Sequence, residues 1–457
     1  MTTDKNSPLV AGQSYTVRIH DIGSSGEGVG RVDGMTVFVA GALPGETVRV
    51  TATTVKKKYA VADIESVLVP SPARVTPPDS YQADCGVYPL LIWDYAAQLD
   101  WKRRRVEELL RRIGGIETEV APVIGMEHPY RYRNKIQLPV GGTSTAPRIG
   151  FFARGSHRII DMDTCPLQDT ATDALFRAVR RGVIETGTAP YRERERAGVL
   201  RHVVARSAAG GLMVTLVTAT DDLPHEQEWI GILREELPAM TSLWHNIQPR
   251  PTNVIFGAQT LHVWGETHLT ASLGELEFLL SPRSFYQVNP AQTEVLYRLA
   301  LDSADLTAED TVIDLYCGTG TISLMAARQA GSVIGIEVVA DAVRDAAANA
   351  AHNGITNATF IAGDATREMP RLVRDGIRPD VVILDPARAG ATHDVLQAIA
   401  TAAPRRIVYV SCNPATLARD LAQLTADGYT VCTVQPVDMF PHTAHVETVC
   451  LMSRVKD

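Results

Sequence analysis

The chain has 457 residues, 45% hydrophobic and 21% charged, the balance of a folded globular protein with room for several cores. No apolar run reaches the roughly 18 residues that span a bilayer, and the opening MTTDKNSPLVAG lacks a basic stretch followed by an apolar one. No membrane span and no secretory leader are therefore expected, and the reading places the chain in the cytoplasm. A net charge of −8 with His neutral excludes a uniformly basic nucleic-acid binder. Six cysteines without a C-x-x-C pair signal neither a zinc site nor a disulfide framework.

Residues 8–68 read as a small β-barrel. QSYTVRIHDI, GMTVFVAGAL, ETVRVTATTV and YAVADIESVLV alternate apolar and polar residues, and SSGEGVGRVDG reads as the glycine-rich turn between the first two. Such a strand set closes as an OB-like barrel, a fold that often binds RNA. A Pro-rich linker (70–80) follows. LIWDYAAQLDWKRRRVEELLRRIG then has helical periodicity and stops at Gly114 and Gly115. Residues 75–280 read as an α+β central domain, with strands at KIQLPV, RIGFFA, GLMVTLVTA, SLWHNIQP and ELEFLLSP and one or two helices. Charge is uneven along this stretch. From His128 to Arg158 there are six Lys or Arg (Arg131, Arg133, Lys135, Arg148, Arg154, Arg158) and no acid, interleaved with Tyr130, Tyr132, Phe151 and Phe152. Lys56–Lys58 and Lys102–Arg105 are further basic runs. Solvated surface charge is the plain explanation of any one run; together they suit a protein that meets phosphates on one face.

From 283 to 457 strands and helices alternate, which predicts a doubly wound α/β domain whose ligands sit at the carboxyl ends of the strands. The polar motifs fall there. DLYCGTGT (314–321) follows the first strand and opens a helix. Its glycines allow backbone to approach a ligand, and Asp314 can fix the loop or a charged end of the ligand. Glu337 ends the second strand, where an acid can hold a ribose diol, and Asp364 ends the third. Ser323 stands where a third fingerprint glycine would be, so the site suits S-adenosylmethionine better than a dinucleotide. DPARAG (385–390) and SCNP (411–414) end the fourth and fifth strands, and HTAHVETVCL (442–451) closes the chain.

These motifs offer a thiol, Cys412, a carboxylate near the cofactor edge, Asp385, and a second carboxylate on a later strand, Glu447. Uracil C5 is a poor nucleophile, and a thiolate adding to C6 makes it reactive. A base must then remove the C5 proton so that the thiol can leave. One Cys, one carboxylate base and groups to hold the base edge meet that need. A cysteine on a loop ahead of a helix is expected to have a lowered pKa; Cys317, Cys432 and Cys450 are expected to be ordinary buried residues.

FYQVNP (285–290), DLYCGTGT, GIE (335–337), DPARAG, SCNPATLARDL (411–421) and DMFPHTAHVETVCLM (438–452) together resemble the RNA uracil-5-methyltransferases of the RumA/TrmA type. The barrel resembles a TRAM domain, and YRYRNKIQLPV (130–140) the family's RNA-contact segment. The resemblance implies Cys412 as nucleophile and Glu447 as general base. It places Gln287, Asp314, Tyr316, Gly318, Thr321, Glu337, Asp364 and Asp385 at the cofactor, and Phe285, Gln287, Asp385, Arg131, Arg133 and Lys135 at the RNA. The implied product is 5-methyluridine in 23S rRNA, with transfer RNA as the alternative substrate and a non-catalytic RNA-binding assembly factor as the alternative from another class. A monomer is expected. Many ribosomal members of the family carry a four-cysteine iron–sulfur site. Here Asp79 and Tyr88 stand at two of those positions and only Cys85 and Cys165 remain. A [4Fe–4S] cluster normally needs four thiolates, so neither a cluster nor another metal is expected.

Overall fold

The computed structural model describes residues 8–81 and 83–454; residues 1–7 of the opening stretch read above lie outside them. The chain forms two compact units: residues 1–102 with 152–160 and 440–445, and residues 103–151 with 161–439 and 446–457.

The first unit is built on β1 (Ser14–Ile22), β2 (Gly28–Val32), β3 (Met35–Val39), β4 (Thr47–Val55) and β5 (Tyr59–Val69), a closed barrel in the order β1-β2-β3-β5-β4. Alternation sends Val17, Ile19, Val37, Val39, Val48 and Val50 inward, all at most 1% exposed. Burying each such side chain contributes about 1.5–3 kcal/mol, which is how a short chain segment sustains its own core. The stretch read as a glycine-rich turn holds a strand instead. β2 pairs with both β1 and β3. A Cβ on Gly30 would lie 2.2 Å from Val17 Cγ1, and one on Gly28 would lie 2.7 Å from the Ala42 carbonyl oxygen. The glycines mark close packing inside the barrel, not a turn.

Helix α1 (Tyr95–Leu109) starts where Asp94 Oδ1 accepts the Ala97 N–H at 3.1 Å, a side-chain cap. It ends in a π-turn over 110–114 with Gly115 left-handed at φ 62°, the stop expected from the two glycines. Part of the basic run on this helix is not free for phosphates. Lys102 is fully buried and its Nζ donates to the Phe440 carbonyl; Arg103 Nε donates to the Val120 carbonyl at 2.8 Å.

Strands β6 (Lys135–Gly142), β7 (Pro147–Phe152), β8 (Ile159–Asp161), β9 (Leu200–Ala208), β10 (Gly211–Thr218), β11 (Met240–Ile247) and β12 (Gln259–Gly265) form a sheet ordered β12-β11-β10-β9-β6-β7-β8. Two helices accompany it, α2 (Asp173–Thr186) and α3 (Glu226–Glu236). They meet where Gly182 leaves room for Trp229: a Cβ there would lie 2.1 Å from the indole. A hairpin, β13 (Leu269–Leu273) and β14 (Leu276–Leu280), leads on to the last segment.

That segment alternates α4 (Pro290–Ala304), β15 (Thr311–Leu315), α5 (Thr321–Ala327), β16 (Ser332–Glu337), α6 (Ala340–His352), β17 (Ala358–Ala362), α7 (Ala365–Arg374), β18 (Val381–Leu384), α8 (His393–Ala402), β19 (Arg406–Ser411), α9 (Pro414–Ala426), β20 (Tyr429–Val437) and β21 (Glu447–Arg454). The sheet order is β17-β16-β15-β18-β19-β21-β20. β15 to β19 run parallel and β21 runs antiparallel to β19. The order reverses between β15 and β18, the switch point at which open α/β sheets bind ligands. The strands here are near-continuous apolar runs, as β18 (VVIL, every residue buried) shows, because helices cover both faces.

Candidate active site

Each motif is aimed by a local rule. Asn289 and Asn413 each precede a proline at the first helical position. Their side chains accept the Gln292 N–H (3.3 Å) and the Ala415 N–H (3.2 Å). This is the Asn-cap, Pro-first pattern, and it sets FYQVNP and SCNP as loops at the mouths of α4 and α9. Asp364 caps α7 by accepting the Thr366 N–H at 2.9 Å, which keeps its carboxyl below the usual range. Antiparallel pairing does the rest. Ser411 faces Thr448, so one further step puts Cys412 beside Glu447.

Around the switch point the acids converge. Asp314 is 1% exposed; Ser323 Oγ donates to its Oδ2 at 2.5 Å, and its Oδ1 is buried with no partner. Burial pushes Asp314 up to about 7. Glu337 accepts the Gly318 N–H at 3.2 Å and the Val339 N–H at 2.8 Å. Gly318 is left-handed at φ 55°, and a Cβ there would meet nothing within 4 Å, so its backbone faces open space. Tyr316 is strained at φ 67°, with its N–H donating to the Ile336 carbonyl at 2.8 Å. Thr321 and Gln287 both border the hydroxyl of buried Tyr297.

These residues fit S-adenosylmethionine. An orphaned buried carboxylate oxygen and a second acid at a strand end suit a cationic, diol-bearing ligand, and the excess of negative charge disfavours a polyphosphate. An iron–sulfur cluster does not fit. Tyr88 is fully buried and its hydroxyl donates to Asp79 Oδ2 at 2.9 Å, so two positions of the four hold a phenol and a carboxylate. Among the described residues no group of three or more His, Cys, Asp or Glu is placed to hold a metal.

The thiol end of the site departs from expectation. Cys412 is half-buried, and its pKa is raised to about 11 instead of lowered. Burial is the largest cause; the charges of Glu447 and Asp385 add to it and outweigh Arg388 and the loop ahead of α9. Glu447 is 4% exposed, and burial raises it well above the usual carboxylate range, with Asp385 pushing the same way and Arg388 opposing. Asp385 is itself raised by burial. Cys317 and Cys450 are buried as expected, but Cys432 is exposed, with its Sγ 2.9 Å from Ser453 Oγ. It lies on β20, the edge strand of the sheet.

A raised carboxyl pKa carries a sign for stability. A group protonated more readily when folded stabilises fully below its unfolded pKa, and that stabilisation is lost as pH rises through the folded pKa. For Glu447 the window runs from about 4.5 to about 8. Glu447→Gln removes the buried charge, so the melting temperature of the variant is expected to pull ahead of wild type progressively from pH 5 to pH 8. Differential scanning fluorimetry across that range checks it; parallel curves would rule out a buried charge there.

Of the residues expected to meet RNA, Phe285 is 66% exposed, and its carbonyl accepts from Thr319 Oγ1 at 3.3 Å, so the ring is offered to solvent from a fixed loop. Asn134 ties that loop to the central sheet through its N–H to the Val288 carbonyl (2.8 Å) and Nδ2 to the Gln287 carbonyl (3.3 Å). Lys135 opens β6, and Arg133 precedes it by two residues in an isolated bridge to Gln168. Arg131 is not with them: at φ 56°, its guanidinium donates to Asp173 Oδ1 at 2.6 Å and to the Cys165 carbonyl at 3.2 Å.

Sequence reasoning missed the scaffold that joins the two chemistry loops. Asp420, 1% exposed, accepts from the Tyr409 hydroxyl (2.6 Å) and the Ala391 N–H (2.8 Å). Asn413 Nδ2 donates to the Arg388 carbonyl at 2.9 Å, and Arg419 Nη2 to the Ala389 carbonyl at 2.9 Å. A Cβ on Gly390 would lie 2.5 Å from Asp420 Oδ2, which explains the glycine. The available signal was an acid at an apolar position of α9. Asp420→Ala strands two buried donors and is expected to cost about 1–3 kcal/mol, a fall of several degrees in Tm by calorimetry.

A family model described as tRNA (Uracil-5-)-methyltransferase matches residues 266–455, and a TRAM domain model matches residues 8–64. Proteins named uncharacterized RNA methyltransferase from Clostridium tetani and Listeria innocua are 43% and 44% identical over 99% and 98% of this chain and 99% of each relative. The chain belongs to the RNA uracil-5-methyltransferase family. The crystal structure of the Pyrococcus abyssi tRNA (uracil-54, C5)-methyltransferase in complex with S-adenosyl-L-homocysteine aligns with 96% of this chain and 100% of its own, with a TM-score of 0.76 and 26% identity. The doubly wound domain is thus a methyltransferase fold and the barrel a TRAM domain. No helix among the described residues is long and apolar enough to cross a membrane.

Proposed function

We propose that the protein transfers a methyl group to C5 of a uridine in 23S rRNA through a covalent adduct on Cys412. On this reading the barrel (8–68) and the central domain (75–280) hold RNA, and residues 283–457 carry the chemistry. The enzyme acts in the cytoplasm as a monomer. S-adenosylmethionine supplies the electrophilic methyl group. Asp314, Glu337, Asp364, Tyr316, Gly318 and Thr321 hold it, the acids taking its cationic and hydroxyl groups. Gln287 and Asp385 meet both cofactor and the uracil edge. A base buried in RNA structure must leave its stack to reach Cys412, and exposed Phe285 is placed to stack on it.

The observation that carries this reading is the juxtaposition of Cys412 with Glu447, whose charge bears directly on the thiol. Cys412, its proton released to solvent, adds to C6 and opens the C5=C6 double bond, which makes C5 nucleophilic toward the cofactor's methyl group. After methyl transfer, Glu447 takes the C5 proton and the thiol leaves. A base acts best with a pKa near the working pH, and burial brings Glu447 there.

A second reading is transfer RNA as substrate. Its support is the Pyrococcus abyssi alignment, whose 96% coverage of this chain leaves out too few residues to omit the barrel. A barrel of this kind therefore does not by itself select ribosomal RNA. Methyl transfer from labelled cofactor to protein-free 23S rRNA and to bulk transfer RNA, followed by nucleoside analysis, separates the two. Labelled 5-methyluridine in the ribosomal RNA supports the first reading, label in transfer RNA alone replaces it with the second, and label in neither sinks both.

A further inference from the structure

The segment that leads into Glu447 is held by the barrel's side of the molecule. Residues 440–445 belong to the same compact unit as the barrel and the first half of α1, and only Val446 separates them from Glu447. Gln98 and Lys102 stand one turn apart on one face of α1, and both are fully buried. Gln98 Oε1 accepts the His442 N–H at 3.1 Å. Its Nε2 donates to the carbonyls of Leu90 (3.1 Å) and Trp93 (2.7 Å) and lies 3.2 Å from His442 Nδ1. The Leu90 N–H in turn donates to the His442 carbonyl at 3.1 Å. Lys102 Nζ donates to the Phe440 carbonyl at 3.2 Å, which also accepts from Thr443 Oγ1 at 2.8 Å. Ala444 packs in one apolar cluster with Ile22 and Leu43 of the barrel and Trp101 of α1, and Trp101 Nε1 donates to Asp21 Oδ1 on β1 at 2.8 Å.

A buried amide costs stability unless it is hydrogen-bonded, and apolar side chains of the same shape can replace such groups at little cost. What an apolar residue cannot do is fix the backbone of His442. That residue is left-handed at φ 64°, a conformation that a non-glycine residue keeps only where its surroundings impose it. We propose that Gln98, seconded by Lys102, is a positioning residue for the general base: it sets the backbone of 440–445 and thereby aims the Glu447 carboxylate at C5 of the bound uracil. The inference rests on the role of Glu447 proposed above, and it makes the barrel-bearing unit part of the proton-transfer apparatus as well as a holder of RNA. Its consequence is selective. Thiol addition and methyl transfer use Cys412 and the cofactor. Only the last step, in which the C5 proton passes to the carboxylate, the C5=C6 bond re-forms and the C6–S bond breaks, depends on where Glu447 points.

The test is Gln98→Met, with Lys102→Met as a second variant that unlinks the segment at Phe440 and leaves Gln98 in place. Enzyme, labelled cofactor and whichever of protein-free 23S rRNA or bulk transfer RNA wild type methylates are mixed in single turnover. Denaturing gels follow the labelled covalent adduct as it forms and decays. Decay is first order, so its rate constant does not depend on how much of the enzyme is folded. Expected in Gln98→Met are adduct formation within a few-fold of wild type and decay slowed by roughly 10- to 100-fold, the scale on which a small misplacement of a catalytic group acts. Lys102→Met should show the same pattern to a lesser degree, and it decides by the same criteria should Gln98→Met fail to fold. Decay at the wild-type rate, or formation slowed as much as decay, overturns the proposal. Glu447→Gln is run alongside. If its adduct decays no more slowly than that of wild type, the base assignment fails and the proposal falls with it. A long-lived adduct in Glu447→Gln but not in Gln98→Met refutes the positioning role alone.

Discussion

Cys412→Ala is expected to lower methyl transfer by roughly 10⁴-fold or more, the scale on which loss of an enzyme's nucleophile acts, while RNA affinity changes by less than a few-fold. The split follows from placement. The thiol is half-buried at the end of β19, beside two carboxyls, and contributes little surface to an RNA. No neighbour among the described residues offers a second thiol for the role. Cys317 is buried near Asp314 and Glu337. Cys450 is buried on β21, and Cys432 is exposed on β20. Single-turnover assays with labelled cofactor, paired with filter binding, measure both quantities. Equal rates in wild type and variant would remove Cys412 from the chemistry. The raised thiol pKa adds a second expectation. The free protein should react slowly with a thiol reagent at pH 7, since only the thiolate attacks, and faster as pH climbs toward 11.

The parts of the site that were legible in the sequence are those fixed by backbone topology. Alternating strands and helices put DLYCGTGT, GIE, DPARAG and SCNP at one edge of one sheet, because parallel strands share their carboxyl ends. Glu447 joins them because β21 runs the opposite way and so begins at that edge. What was not legible depends on neighbours distant in sequence. The lowered pKa expected at Cys412 rested on its local position before α9; burial reverses it, with two carboxyls brought in after β18 and on β21 adding to the effect. Arg131, Arg133 and Lys135 look equivalent along the strand, yet Asp173 takes the first, and Arg206 faces the third from β9. β9 itself was missed because its run, LRHVVARSA, mixes cations into an apolar pattern. β2 was read as a turn because its glycines serve close packing. Local propensity described the elements, and tertiary contact assigned the roles.

Glu447→Gln is expected to trap the enzyme on its RNA. On the proposed mechanism, addition of the thiol to C6 and methyl transfer to C5 do not use the carboxylate, whereas departure of the thiol requires loss of the C5 proton. An amide cannot take that proton, so turnover should fall by about 10²–10⁴-fold, the usual contribution of a general base. Enzyme should accumulate as a covalent complex that survives denaturing electrophoresis and carries label from the cofactor's methyl group. The amide keeps the shape of the side chain and removes a charge that burial opposes, so the variant should fold at least as well as wild type. A lack of turnover is then assignable to chemistry. In wild type the same step should quicken with pH as Glu447 loses its proton, and the variant should lose that dependence. Methylation that continues in Glu447→Gln without any adduct on the gel would move the base elsewhere, and half-buried Asp385, which bears on the charge of both Cys412 and Glu447, is the group to substitute next.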